Sequence, residues 1–558
     1  MHKPTETFTP PGPGVWERES THIMRPVSRA VAAIFPAAAT EGFKATTARY
    51  GLLLDHLEFA VVNGFVYTCP RPVGAPKDAK GPPPKLIFKL LSKLHPEVRR
   101  RIRKATEVFA TRLWREDVEK WDRELKPAIE KQNRALQSVD LGALSDEQLA
   151  AHLDRCFDAV RRGVVQHHTL NATTMLPLGD FLAHVQEWTG LAPSAVLPLF
   201  RGSSRVSLGA AQELDALRGA LANDGNALDA GDASAIIAAL LQRHDAVGEA
   251  MRRYVEVAGI RVATGYDVAD LTVAEMPELL LETIRAALSG ETGSQAADAS
   301  REQSIREHVP AAHRTLFDEL LQEARLTYRI RDERTYLNDM WSVGIARRAI
   351  LAGGERLAAK GRLHAAGHAV DLTPDEITSM LRGGGGPSAD DVAVWVEWRT
   401  TRTFRDAPQF LGGTPSAPPP SDWLSGDAAR SSRAIGIVMN EMFAARTQQD
   451  HAKRITGYAA SPGEVTGIAR LVLDPSDMGR VRGGELLVTR STAPSFNALL
   501  PLIGGIVTDR GGTLSHAAVV AREYGIPAVV GCGNATELIA DGARIRIDGG
   551  NGTVEILA

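Results

Sequence analysis

The stretch Thr508-Asp-Arg-Gly-Gly-Thr-Leu-Ser-His-Ala-Ala-Val-Val-Ala-Arg-Glu523 carries the clearest structural signal in the chain. A short apolar run ends at Thr508, a Gly511-Gly512 turn follows, and His516 opens an apolar helical pattern. Thr513 or Ser515 can cap that helix by accepting a backbone hydrogen bond through its hydroxyl oxygen. The stretch therefore predicts a strand, a tight turn and a helix that begins at His516.

This arrangement suits a histidine that carries a phosphoryl group. The N–H groups and the dipole at a helix N-terminus favour an anion, and the same positive end favours a neutral, nucleophilic imidazole. His516 is therefore the candidate catalytic residue, and Gly511, Gly512, Thr513 and Ser515 are candidate phosphate-supporting residues. From these few residues alone, an alternative remains that His516 only caps a helix in a tight turn.

Short β-rich runs bounded by Gly, Pro or Asp surround this stretch. They are Gly467–Leu473, Glu485–Thr489, Gly505–Thr508, Ile526–Val530, Ala543–Ile547 and Thr553–Leu557, with a helix predicted at His516–Tyr524. Six strands and a few helices in roughly 100 residues are enough for a compact unit. The sequence predicts a small α/β domain over residues 458–558, preceded by a linker or hinge over residues 446–457.

Residues 1–445 are predicted to form a mainly α-helical body, so that the whole chain is multidomain. Helical spacing appears in Ile102–Leu125, where Pro127 is predicted to end the helix. It appears again in Glu147–Arg162, Ala233–Leu241, Ala311–Ala324 and Asp339–Ala352. Proline and glycine mark loops at Pro70–Pro84 and Gly383–Pro420, and the second loop is predicted to separate subdomains.

Composition excludes several classes of protein. The 558 residues predict three to four domains at roughly 150 residues each, and 44% hydrophobic residues supply a core. The net charge of −3 gives no basic field for nucleic acid. Three separated cysteines favour neither a disulfide framework nor a zinc site. With no leader and no apolar run of spanning length, we expect a cytoplasmic protein without membrane contact or bound metal.

The C-terminal motifs resemble the phosphohistidine domain of phosphoenolpyruvate-utilising enzymes. The resemblance covers about 100 residues and includes Ala459–Arg470, Gly484–Thr489, Thr492–Pro494, Gly505–Asp509, Gly511-Gly512, Ser515–Ala518 and Ala521–Gly531. It implies that His516 is phosphorylated and that its domain swivels between two sites. For a swivelling domain we expect only a modest, polar interface with the helical body.

The order of segments resembles rifampin phosphotransferase without its ATP-grasp domain. Looser matches in the body are Pro13–Glu17, Gly353–Gly361 and Leu372–Ile377. Phenylphosphate synthase and the cresol-phosphorylating enzymes have a similar split layout. The resemblance implies that a separate ATP-grasp subunit binds ATP and Mg²⁺. The body is then the acceptor-binding part, which presents a small hydroxylated, aromatic or phenolic acceptor.

Further candidate residues lie in the body. Arg331 and Asp332, followed by Tyr336, resemble an Arg-Glu segment of the family's acceptor domain. The arginine can hold a phosphoryl group and the carboxylate can take the acceptor's proton. The competing interpretation is a surface ion-pair cluster. Tyr336, His167 and His168 are candidate substrate contacts, although for the two histidines a hydrogen-bonded place in the core is the more common role.

These observations favour a dikinase-type phosphotransferase subunit that carries phosphate on His516. An antibiotic-modifying phosphotransferase component is the nearest alternative. A non-catalytic phosphocarrier or regulatory protein is the alternative from another class. The long helical body favours an enzyme, because a carrier needs only the C-terminal domain.

Overall fold

The computed structural model describes residues 4–19, 22–23, 25–79, 81–203, 211–222, 224, 228, 231–263, 265–289, 296–443, 454–473, 475–492, 496, 499–500 and 502–557. Its contacts divide the chain into two compact units. The first contains Met1–Asp180, Tyr266–Ala269 and Arg334–Ile435, and the second contains Phe181–Gly265, Asp270–Glu333 and Gly436–Ala558. None of the described helices has both the length and the apolar character needed to cross a membrane.

Helices dominate the chain before residue 444. They are α1 (Arg29–Arg49), α2 (Lys85–Leu94), α3 (Pro96–Thr111), α4 (Trp114–Lys120), α5 (Lys126–Gln137), α6 (Asp146–Thr169), α7 (Asn171–Thr189), α8 (Pro193–Val196), α9 (Ala211–Leu221), α10 (Ala233–Gln242), α11 (Ala246–Tyr254), α12 (Pro277–Ser289), α13 (Ala296–His308), α14 (Arg314–Arg334), α15 (Ser342–Ala359), α16 (Pro374–Leu381), α17 (Ala389–Thr401) and α18 (Gly426–Phe443). Two more, α19 (His516–Tyr524) and α20 (Ala535–Leu538), lie in the C-terminal part.

Strands form two sheets. They are β1 (Trp16–Arg18), β2 (Leu54–Val62), β3 (Phe65–Pro72), β4 (Phe410–Leu411), β5 (Arg454–Thr456), β6 (Tyr458–Ser461), β7 (Glu464–Val472), β8 (Leu486–Thr489), β9 (Gly505–Thr508), β10 (Ala528–Val530), β11 (Arg544–Asp548) and β12 (Thr553–Ile556). The strand orders are β2-β3-β1-β4 in the first unit and β5-β12-β11-β7-β8-β9-β10-β6 in the second.

The first unit combines helices with a small antiparallel sheet that the sequence analysis did not predict. Strands β2 and β3 form a hairpin whose turn is Asn63-Gly64, with φ of 49° and 85°. Asparagine and glycine accept such positive φ values readily, and this dipeptide is a strong hairpin signal. Part of the core lies where Ala38 and Ala39 of α1 meet Val164 of α6.

Two predictions about the body are wrong. Pro127 does not end the helical stretch, because a π-helical turn at Trp121–Leu125 leads into α5 and Pro127 occupies the first turn of that helix. A missing N–H costs little in the first turn. The Gly383–Pro420 segment is not a continuous loop, since it contains α17, which Ser388 caps by accepting the N–H of Asp391 at 3.1 Å.

The C-terminal sheet has a parallel centre and antiparallel edges. Strands β7, β8, β9 and β10 run parallel, and β11, β12 and β5 continue the sheet on one side while β6 pairs with β10. Both faces are buried: Ile506 points into one apolar cluster and its neighbour Val507 into the other. All six predicted strands are present in this sheet. Strands β5 and β6 extend the predicted set.

Helix α19 packs on one face of this sheet through Ala517, Ala518, Val520 and Ala521. The same cluster contains Ala263, Met276 and Leu279 from the preceding helical segment of the second unit. The expectation of a merely polar contact between the helical part and the C-terminal domain is therefore wrong for this arrangement.

The predicted linker at residues 446–457 falls mostly outside the described residues, because 446–453 are not described. The domain boundaries at 445 and 458 therefore stay predictions. The described secondary structure agrees with the coarser prediction of a mostly helical chain with a C-terminal α/β region.

Adjacent glycines after β11 offer a matched test of packing in the C-terminal sheet. A Cβ at Gly549 would lie 1.9 Å from the carbonyl oxygen of Ser461, whereas a Cβ at Gly550 would meet only Asp548 Oδ1 at 3.5 Å. We expect Gly549→Ala to destabilise the protein by about 1–3 kcal/mol, because the backbone must shift. Gly550→Ala is the control, and equal melting temperatures for the two variants would contradict the packing described.

Candidate functional site

His516 is the first residue of α19, as the sequence predicts. Strand β9 ends at Thr508, the chain turns at Gly511, whose φ is +104°, and Ser515 caps the helix. The Ser515 hydroxyl oxygen accepts the N–H of Ala518 at 3.4 Å. Thr513, the other predicted cap, instead donates its hydroxyl hydrogen to the Glu441 carboxylate.

The turn before His516 is held by the C-terminal end of α18. The N–H of Leu514 donates to the carbonyl of Glu441 at 2.8 Å, and the N–H of Gly512 donates to the carbonyl of Met442 at 3.4 Å. The Thr513 hydroxyl donates to the Glu441 carboxylate. Gly512 permits this close approach, because a Cβ there would lie 2.3 Å from the Glu441 carbonyl oxygen.

The imidazole of His516 is oriented by a hydroxyl group. Its Nδ1 lies 2.9 Å from Oγ1 of Thr492, and the ring is partly exposed while Gly511, Gly512 and Thr513 around the turn are buried. A hydrogen bond at Nδ1 decides which ring nitrogen carries the proton, and so which nitrogen can act as a nucleophile.

Arg331 and Asp332 lie beside the helix of His516, at the C-terminal end of α14. The Arg331 guanidinium donates to the carbonyl of Leu514 at 3.0 Å, two residues before His516. The Asp332 carboxylate is close enough to Glu523 and Tyr328 to raise the pKa of both groups. The second unit thus brings together His516, its turn, Arg331 and Asp332.

The contact between α14 and α19 contains titratable groups with displaced pKa values. Burial raises the pKa of Glu523 to about 7, opposed by the N–H of Gly202, which donates to its carboxylate at 2.9 Å. Burial also raises the pKa of Tyr328 to about 12 and lowers that of Arg522. Desolvation dominates in each case, so this contact is largely shielded from water.

The other three predicted residues belong to the first unit. His167 Nδ1 lies 2.7 Å from Asp339 Oδ2, and the His168 ring stacks on Phe43 at 4.8 Å between centroids. The ring of Tyr336 is tilted against Trp341 at 6.2 Å. Their roles as substrate contacts stay predictions.

Burial shifts the pKa values in this group of the first unit. It raises the pKa of Asp339 to about 8, against the opposing effect of Arg334 and His22. It also lowers the pKa of His168 well below its ordinary value. Around neutral pH this group therefore holds a neutral imidazole and a largely protonated carboxyl group.

Sequence reasoning assigned no role to Thr492, Glu441, Tyr328 or Glu523. Thr492 belongs to the Thr492–Pro494 motif, so this motif was the sequence signal that could have indicated it. Residues 493–494 of the motif lie outside the described part. Glu523 lies on α19 itself, and the sequence of that helix does not indicate its contact with Gly202. Glu441 and Tyr328 carry no local signal, because they reach the His516 turn or its helix only through tertiary packing. Across the described part of the chain, no group of three or more His, Cys, Asp or Glu side chains is arranged to hold a metal ion.

Comparison with known proteins places the C-terminal domain in a family. Residues 481–552 match the family "PEP-utilising enzyme, mobile domain". Rifampicin phosphotransferase of Bacillus cereus is 48% identical over 106 residues, which is 19% of this chain and 12% of the relative. A probable phosphoenolpyruvate synthase of Staphylothermus marinus is 45% identical over 102 residues, 18% of this chain and 12% of the relative.

One relative matches over a longer segment. The uncharacterized phosphotransferase YvkC of Bacillus subtilis is 30% identical over 251 residues, 44% of this chain and 28% of the relative. That alignment is longer than the C-terminal domain and therefore includes part of the preceding segment. All three alignments cover only a minor share of the relatives' own lengths, between 12% and 28%. Residues 481–552 thus match the mobile domain of PEP-utilising enzymes, and over about 100 residues the chain resembles rifampicin phosphotransferase.

Proposed function

We propose that the protein is a dikinase-type phosphotransferase subunit in which His516 carries a phosphoryl group to the hydroxyl of a small aromatic or phenolic acceptor. The observation that carries the proposal is the position of His516 at the first residue of α19, with Nδ1 at 2.9 Å from the Thr492 hydroxyl. The relatives named phosphotransferases and phosphoenolpyruvate synthase support phosphoryl transfer as the reaction class.

The loading step uses the nucleophilic nitrogen of His516. With Nδ1–H donating to the Thr492 oxygen, the lone pair is on Nε2. Nε2 attacks phosphorus, an Nε2–P bond forms, and the P–O bond to the leaving group breaks. The N–H groups of the first turn of α19, and Arg331 next to Leu514, favour the negative charge of the phosphoryl group.

The transfer step reverses this bond exchange. The acceptor oxygen attacks phosphorus, the Nε2–P bond breaks, and the hydroxyl proton passes to a base. Asp332 is the carboxylate we propose for that role. Its place on α14 beside Arg331, whose guanidinium bonds to the turn before His516, supports this choice.

ATP is the proposed donor, bound with Mg²⁺ by a separate ATP-grasp subunit. That subunit converts ATP and water to AMP and phosphate while one phosphoryl group passes to His516. The likeness to the split phenylphosphate synthase supports this arrangement. The YvkC alignment, which runs beyond the C-terminal domain, supports an enzymatic role for the helical part.

A carrier histidine must reach both the donor and the acceptor, so the contact between α14 and α19 must open during the cycle. The hinge we propose lies in residues 446–457. The buried charges at Glu523 and Arg522 make the contact easier to break than a purely apolar one, because each gains hydration when it opens.

The first test is phosphorylation of His516. With the ATP-binding subunit and ATP labelled on its β and γ phosphates, the wild type should acquire an acid-labile, base-stable label. His516→Ala should lose the label, since it removes the nucleophile. His244→Ala, which changes an exposed histidine of the same unit, is the control. Undiminished labelling of His516→Ala would refute the assignment.

The second test concerns Arg331 and the acceptor. Phosphorylated protein mixed with phenol or 4-cresol should transfer its label, and Arg331→Met should slow transfer roughly 10²–10³-fold, the usual cost of one lost charge-stabilising donor. Arg329→Met is the matched control, because Arg329 lies on the same helix and pairs with Glu333 at 3.1 Å. Equal rates in both variants would remove Arg331 from the mechanism, and no transfer to either phenol would exclude the phenolic acceptor.

The third test uses the displaced pKa of Glu523. A carboxyl group whose pKa rises on folding binds more protons in the folded state, so stability falls as pH rises from about 4.5 to about 7. The melting temperature of Glu523→Gln should therefore fall less than that of wild type between pH 5 and pH 8. Glu464→Gln, which removes an exposed carboxylate paired with Arg546 at 2.6 Å, should keep the wild-type slope. An unchanged slope in Glu523→Gln would contradict the buried contact.

A further inference from the structure

Helix α2 (Lys85–Leu94) exposes an unusual amount of apolar surface. Its sequence is KLIFKLLSKL, and none of its residues is buried. The exposed fractions are 82% for Leu86, 50% for Ile87, 56% for Leu90, 38% for Leu91 and 65% for Leu94. An isolated exposed leucine needs no explanation, but a contiguous stripe of five aliphatic side chains marks an interaction site.

The helix is fixed to the first unit on one side only. The Phe88 ring packs edge-on against Trp423 at 5.6 Å, and Lys85 pairs with Asp422 at 3.1 Å. At about 100° per residue, Phe88 lies on the opposite side of the helix from Leu86 and Leu90. The apolar stripe therefore faces away from its own anchor.

The charges of α2 are all positive. Lys89 and Lys93 lie four residues apart along one edge of the stripe, Lys85 pairs with Asp422, and the helix contains no Asp or Glu. The next helix, α3, carries the exposed residues Arg99 and Arg103. An apolar stripe bordered by lysines is the pattern of a helix that lies in the plane of an anionic lipid surface.

The alternatives fit less well. A second copy of the chain would bring the lysine edges of two α2 helices together, and like charges repel. A stable protein interface buries roughly 800 Å² on each partner from some 20–30 residues. One ten-residue helix, about 15 Å long, supplies only a part of that.

We propose that α2 is an interfacial element that inserts its aliphatic edge into an anionic lipid surface, with the lysines at the headgroups. Such an attachment to a membrane surface needs no spanning helix. It replaces the sequence-based expectation of no membrane contact, which considered only spanning segments. The proposal goes beyond the phosphotransferase function and does not depend on it.

The test is co-sedimentation of the full chain with vesicles. Wild type should bind vesicles of equal parts phosphatidylcholine and phosphatidylglycerol, bind pure phosphatidylcholine weakly, and release as salt increases. Leu90→Glu, and separately Lys89→Glu with Lys93→Glu, should each weaken binding about tenfold or more. These side chains are exposed, so the melting temperature should stay at the wild-type value.

Leu473→Glu is the matched control, because Leu473 is 52% exposed in the second unit, far from α2 in sequence. It should bind the anionic vesicles like wild type. The proposal is overturned if wild type does not prefer anionic vesicles, or if Leu90→Glu binds them as wild type does. It is also overturned if Leu90→Glu instead dissolves a dimer, or a complex with an ATP-binding subunit, that forms without lipid.

Discussion

The hydrogen bonds between the turn at Gly511–Leu514 and the end of α18 are the constraint on which the rest of the site depends. The last carbonyl groups of a helix have no partners within it. Here the Glu441 and Met442 carbonyls accept the N–H groups of Leu514 and Gly512, so two sets of otherwise unsatisfied backbone groups satisfy each other. This contact fixes where α19 begins, and therefore where the imidazole of His516 lies.

Once α19 is fixed, the chemistry near His516 follows from what packs against it. Thr492 orients the ring, and α14 brings Arg331 to the carbonyl of Leu514. Two carboxylates also lie close to α19 or its turn. That of Glu441 on α18 accepts the Thr513 hydroxyl, and that of Glu523, on α19 itself, accepts the N–H of Gly202. Under the proposed function, a phosphoryl group adds negative charge near these carboxylates, so repulsion opposes this arrangement in the loaded state.

The first unit contains a separate buried polar group around His167 and Asp339. Burial raises the pKa of Asp339 to about 8 and lowers that of His168 well below its ordinary value, so at neutral pH these two groups are largely uncharged. Arg334, only 5% exposed, is the principal cation of this group and donates to the carbonyl of His167. The role of His167 and His168 as substrate contacts stays a prediction, with hydrogen-bonded core histidines as the competing interpretation.

The sequence by itself determined the elements of the C-terminal domain, because their signals are local. Short β-rich runs bounded by Gly, Pro or Asp specify the strands, and the Gly511 turn with the Ser515 cap specifies the helix start at His516. The Asn63-Gly64 hairpin has an equally local signal in its Asn-Gly dipeptide. Tertiary structure alone decided what surrounds His516. Leu514 meets Arg331 across 183 residues and Thr513 meets Glu441 across 72, and such contacts depend on packing that leaves no periodic pattern in the sequence.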